Sequence, residues 1–142
     1  MKTSQEFKQH LINLGACEGA RIWAEGKTAK EAWEQCERGD WLLWWAQKEN
    51  CDLRMLTLAK ARCAKLVIHL MKDKRSIDAV NAAENFGLGI IDLVELNAAA
   101  ADYAAYAAAA AYAYAAADAA ARKETIAKCA EIVRENIKPT WL

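Results

Sequence analysis

Histidine and cysteine are the side chains from which a nucleophile or a metal site is most readily built, and this chain has two of the first and five of the second. Cys17, Cys36, Cys51, Cys63 and Cys129 are odd in number and include no C-x-x-C. Neither His10 nor His69 stands three or four residues from a cysteine. This spacing predicts reduced, mostly buried thiols rather than a disulfide framework or a zinc site. Gly87-Leu-Gly89 is a lone G-x-G with no strand before it, so it reads as a helix terminator, not a phosphate loop. No H-E-x-x-H and no nucleophile elbow occurs. Glu31 and Glu34 fall on a solvent-type helix face. The expectation is a protein that is not an enzyme, with no catalytic residue, no metal and no cofactor.

Charge offers more. The chain carries 19 basic and 19 acidic residues, a net charge of zero, which disfavours a dedicated nucleic-acid binder and a partner of anionic membranes. The charge is uneven. From Asp52 to Arg75 there are seven basic and two acidic residues; from Asp92 to Ala121 there are four acidic residues and no basic one. At helical spacing Arg54, Arg62, Lys65 and Lys72 share about one quadrant, with His69 among them, opposite an apolar face. Such a stripe is suited to docking an acidic protein surface. Exposed ion pairs add only about 0–1 kcal/mol each, so structural need does not account for it, and Arg62 is a better anchor than Lys65 because arginine is enriched at hot spots. A basic partner would be repelled, and the alternative docking face is then the acidic helix, through Asp102 and Asp118.

The elements that must carry these residues are helices. One proline and six glycines among 142 residues leave too little turn chemistry for an all-β domain. Cap signals divide the chain into about eight helices: Ser4 to about Asn13, stopped by Gly15; Ala16 to Glu25, stopped by Gly26; one opened by the capping box Thr28-Ala-Lys-Glu31 and stopped by Gly39; Trp41 to about Glu49, capped by Asp40; Leu53 to about Met71, capped by Asp52; one opened by Ser76 and ended at Gly87 and Gly89; and a stretch from Asp92-Leu-Val-Glu95 to Asn136, closed by Pro139. The last would be about 65 Å long as one rod, too long for a domain of this size, so a break is expected between Tyr114 and Lys123. Apolar stripes at helical period place Leu53, Leu56, Cys63, Val67 and Leu70 on the core-facing side of the helix opened by Asp52, and Ile126, Cys129, Ala130, Val133 and Ile137 on that of the last helix.

Trp41-Leu-Leu-Trp-Trp-Ala46 is apolar all round and reads as a central helix with Trp41 and Trp44 buried. Trp141, after Pro139, reads as a plug in a groove. The tract from Ala98 to Ala121 is an alanine-rich helix that lets neighbouring backbones approach closely; Tyr103, Tyr106 and Tyr114 fall on one face of it and Tyr112 on the opposite one. Asp102 and Asp118 leave only fifteen uncharged residues between them, short of the roughly 20 strongly apolar residues of a membrane span. The N-terminal MKTSQEFKQHL has no apolar secretory core. The expectation is one all-α domain over residues 1–142, cytoplasmic.

From about Ala16 onward the chain resembles the immunity proteins of bacteria and phages, the "immunity protein five-like" group. The match is carried by Ala32-Trp-Glu-Gln-Cys-Glu-Arg-Gly-Asp-Trp-Leu-Leu-Trp44, by the Leu-, Ala- and Cys-rich helix from Leu53 to Leu70, by the alanine–tyrosine tract, and by Ala-Arg-Lys-Glu-Thr125 with Cys-Ala-Glu-Ile-Val-Arg134. Trp45 departs from the pattern, standing where a smaller apolar residue is expected. The resemblance implies an all-helical, non-enzymatic protein that binds and neutralises a cognate toxin or, in a phage, a host defence effector. The reading from a different class is a small-molecule binder or small enzyme with a pocket lined by tyrosine or histidine.

Overall fold

Local capping chemistry sets where most of the helices begin. In the computed structural model, which describes residues 2–98 and 119–142, helix α1 (Ser4–Leu14) opens on a capping box in which the Thr3 hydroxyl accepts from the Glu6 N–H and the Glu6 carboxylate accepts from the Thr3 N–H. The cap is thus one residue earlier than Ser4. After α2 (Glu18–Trp23), Thr28 and Glu31 form the same reciprocal box at the start of α3 (Ala29–Gln35). Helix α4 (Gly39–Lys48) follows, then α5 (Leu53–Lys65), where the Asp52 carboxylate accepts from the Met55 N–H at 3.0 Å. Helix α6 (Lys74–Gly87) is capped by Asp73 rather than Ser76, which is buried. Helix α7 (Leu93–Ala98) carries the expected Asp92–Glu95 pairing. We number the helix Ala119–Asn136 α8. The fold is all-α, and no strand occurs among the described residues.

Three expectations need correction. Leu53 and Leu70, expected on the core-facing stripe, are exposed at the two ends of their segment. Gly39 does not stop α3, which ends at Gln35; it is the first residue of α4. A Cβ at Gly39 would stand 2.4 Å from the Cβ of Cys129 and 2.8 Å from the Ala130 nitrogen, so glycine is there to let α4 meet α8. Gly87 ends α6 as expected, and a Cβ there would stand 2.8 Å from the Leu58 Cα. The helix opened by Asp52 ends at Lys65, and residues Ile68–Leu70 form a separate 3-10 turn before the chain reverses into α6. The expected break between Tyr114 and Lys123 falls mostly outside the described residues; from Ala119 onward α8 is uninterrupted.

Helix α5 is the hub. It lies along α6 and against α8, and α8 packs in turn on α4. One face of α5 contributes Leu56, Ala59 and Cys63 to a core shared with Phe7, Trp45 and Val133. Its other end joins Val67, Met71 and Val80 in a second, smaller cluster. Small residues at the contact, Ala59 and Cys63 on α5 with Cys129 and Ala130 on α8, are all buried, as close helix approach requires. The Cys63 thiol donates to the Cys129 carbonyl at 3.7 Å; the neighbouring Cys129 thiol and burial both push the Cys63 pKa up. All five cysteines are free thiols.

Candidate functional site: a tryptophan cleft beside a cationic hollow

An apolar helix such as α4 has no periodicity to declare its inner face, and the structure supplies it. Leu42, Trp45 and Ala46 are buried, whereas Trp41 and Trp44 are only partly so. Trp45 stacks on Phe7 (5.1 Å between ring centroids) and meets Trp33 edge-on (5.6 Å). Its indole N–H donates to Glu49 at 3.0 Å, and the same carboxylate oxygen holds His10 of α1. Trp141 closes this cluster against Trp33 (5.5 Å) and Trp45 (6.4 Å), as a plug.

On the other flank of α4, a cleft of about 350 Å³ is open to the surface. Phe7 and Leu11 of α1 form one wall; Ala20 and Trp23 of α2 with Trp41 and Trp44 of α4 form the rest, over a floor of Ala32, Cys36 and Trp45. Trp23 and Trp41 stand with centroids 6.3 Å apart. Beyond this pair lies a second hollow of about 560 Å³, which both indoles also line, with Arg38, Arg122, Lys123 and Glu37. The Trp23–Trp41 pair is therefore a ridge with an apolar cleft on one side and a cationic hollow on the other.

Trp23, Trp41 and Trp44, all partly exposed, each carry a cation on the ring face. The Lys27 ammonium lies 4.8 Å from the Trp23 ring centroid, the Arg38 guanidinium 4.5 Å from that of Trp41, and the Lys48 ammonium 5.8 Å from that of Trp44, within the range of cation–π attraction. Arg38 is held in place by a two-pronged bond to Asp40, at 2.9 and 2.6 Å, which raises its pKa further. Arg122 and Lys123 make no ion pair among the described residues. Trp41 and Trp44, expected in the core, instead form part of this surface. A local signal was present: Lys27 follows Trp23 by four residues, Lys48 follows Trp44 by four, and Arg38 precedes Trp41 by three, the spacings at which helical neighbours meet.

The basic residues nominated on α5 are placed differently from the expected open stripe. Arg54 stacks on Phe86 (4.3 Å) and donates to the carbonyls of Phe86 and Ile91, capping the C-terminus of α6. Arg62 donates to Asn136 at 2.6 Å, and Lys65 pairs with Glu84 at 2.7 Å. Only Lys72 is exposed, and it lies beyond the end of α5. Their clustering thus has a structural reason that the sequence did not reveal: they tie α5 to α6 and α8. Asp102 and Asp118, and the four tyrosines, lie outside the described residues. His69 is exposed, and His10 is engaged with Glu49. Among the described residues no group of three or more His, Cys, Asp and Glu is placed to hold a metal ion, and no helix is long and apolar enough to cross a membrane.

Compared with known proteins, the chain matches no family model, no curated protein and no solved structure.

Proposed function

We propose that this chain is a non-enzymatic binding protein that neutralises a partner protein by occluding part of its surface, with toxin immunity as the primary reading. The observation that carries it is the open tryptophan cleft. Tryptophan and arginine are the side chains most enriched at binding hot spots, and partly exposed Trp23, Trp41 and Trp44 beside Arg38 concentrate both on one surface. The resemblance of the Ala32–Trp44 block to immunity proteins agrees with it, since that block builds much of the cleft. We place the docking face here rather than on Arg54, Arg62 and Lys65, each of which already makes a side-chain hydrogen bond within the chain. A phage-borne inhibitor of a host defence protein would use the same face.

The test is protection. Expressed with the toxin encoded beside it, the chain should restore growth, and Trp41→Ala should remove that protection while the protein still folds. Failure to bind or protect against any product of the neighbouring genes overturns the neutralisation reading. A second reading, a small-molecule binder, is favoured by one feature: about 350 Å³ of apolar, aromatic-walled space falls in the range of ligand pockets. A melting temperature raised by cell metabolites, through preferential binding to the native state, would support that reading instead.

A further inference from the structure

We infer that the ridge recognises an acidic segment of its partner that also carries large apolar side chains, the apolar groups entering the cleft and the carboxylates facing the hollow. The inference rests on the binding reading above and specifies the chemistry of what is bound. It follows from adjacency and charge. The residues that line the two concavities or stack on their indoles include five cations, Lys27, Arg38, Lys48, Arg122 and Lys123, against two carboxylates, Glu37 and Asp40. That is a local balance of +3 in a chain whose net charge is zero.

Among the described residues Arg38 alone of the five is matched to a carboxylate. The ammonium groups of Lys27 and Lys48 are parked on indole faces, and Arg122 and Lys123 have no acidic partner among the described residues. Among the described residues four of these five cations form no ion pair that an arriving carboxylate would have to break, and complementary charge speeds the encounter and rejects basic partners. Among the described residues the cleft beside it is lined by one charged side chain, Asp40, so it rewards a buried aliphatic or aromatic group. Because Trp23 and Trp41 line both concavities, one short segment can fill the cleft and reach the cations together.

The experiment uses the intact chain, labelled so that its six indole N–H signals are resolved by NMR and assigned by single substitutions. The probes are two 14-residue helical peptides with leucines at i, i+3, i+4 and i+7, one carrying glutamate and the other lysine at the remaining positions. The glutamate peptide should shift Trp23, Trp41, Trp44 and Trp45, which line the cleft, while leaving Trp33 and Trp141, which line neither concavity, unmoved. The lysine peptide should bind at least tenfold more weakly. Arg122→Glu with Lys123→Glu, both exposed, should weaken the glutamate peptide about tenfold at low salt without lowering the melting temperature. Equal binding of the two peptides, unmoved indoles, or saturation of the cleft by decanoate at concentrations where the glutamate peptide leaves it free would overturn the inference. The two readings fail separately. Peptide binding without protection in cells removes neutralisation and leaves the surface; protection that survives Trp41→Ala and the double charge reversal removes the surface and leaves neutralisation.

Discussion

Replacing Trp45 by alanine is the sharpest test of how α4 is rotated. Trp45 is 5% exposed and its ring is enclosed by Phe7, Trp33 and Trp141. A tryptophan at the upper end of the ~150–250 Å² that aromatics bury, at ~25 cal/mol per Å², corresponds to about 6 kcal/mol of burial. Alanine keeps a part of that, and large-to-small truncations of this kind cost about 3–5 kcal/mol. Glu49 retains His10 when the indole N–H is lost, so no carboxylate is stranded, and about 4–5 kcal/mol is the expected loss. That is a third or more of a typical domain's ~5–15 kcal/mol. At roughly 4 °C per kcal/mol for this chain length, the melting temperature should fall by about 15–20 °C. Trp44→Ala, at a partly exposed ring facing the cleft, should cost about half as much or less. Urea unfolding of the three proteins checks this: the midpoint should fall in the order wild type, Trp44→Ala, Trp45→Ala, with an unchanged slope. A Trp45→Ala protein within about 1 kcal/mol of wild type, or a costlier Trp44→Ala, would refute the reasoning about which face of α4 is inside.

Gly39→Ala should destabilise by about 1–3 kcal/mol in the same assay, although alanine is ordinarily the better helix former, because its Cβ meets Cys129 and the α8 backbone; a stabilised variant would show that α4 and α8 are farther apart. Denatured protein without reductant should titrate five thiols, whereas in the native protein Cys17 should alkylate first and Cys36, Cys63 and Cys129 last, since burial pushes the Cys36 thiol up, the Cys129 thiol and burial push that of Cys63 up, and all three are buried from reagent; mass spectrometry of timed alkylation gives the order. The Thr28 and Thr3 backbone N–H groups hold the Glu31 and Glu6 carboxyls below the ordinary value of 4.5. Their contribution is therefore present above that value and is lost as pH falls through the lowered folded values, so the acid limb of a pH–melting curve should flatten in Glu6→Gln with Glu31→Gln.

What could be read in the sequence was whatever is settled within one turn of helix. Thr28 with Glu31, Asp52, and Asp92 with Glu95 each satisfy orphan N–H groups three residues on, and all stand where their local chemistry puts them. Apart from caps displaced by a few residues, from Ser4 to Thr3 and from Ser76 to Asp73, the misplacements are non-local. Gly39 looks like a stop because α8, ninety residues later, is invisible in its neighbourhood. Arg54, Arg62 and Lys65 look like a spare face of α5 because the carbonyls and side chains they engage belong to α6 and α8. Trp44 and Trp45 differ by about 100° around the helix, and in a hexapeptide apolar on every side no pattern says which of them turns inward. The candidate site was lost with that rotation: a tryptophan assigned to the core cannot also be seen to form the wall of a cleft.

The aromatic cluster also sets an order in time. Phe7 sits on Trp45, Trp45 on Trp33, and Trp141 covers both, while Cys129, Ala130, Val133 and Ile137 supply the opposite side of the same core. A ribosome delivers these pieces from the N-terminus onward. Until residues in the 130s have emerged, the tryptophans of α3 and α4 have no lid and remain a sticky surface on a nascent chain, the kind of surface that chaperones cover. Folding of the first half is thus held open by the second. Slowing translation between α5 and α8 should lengthen that exposed interval and lower the soluble yield, without changing a single residue of the finished protein.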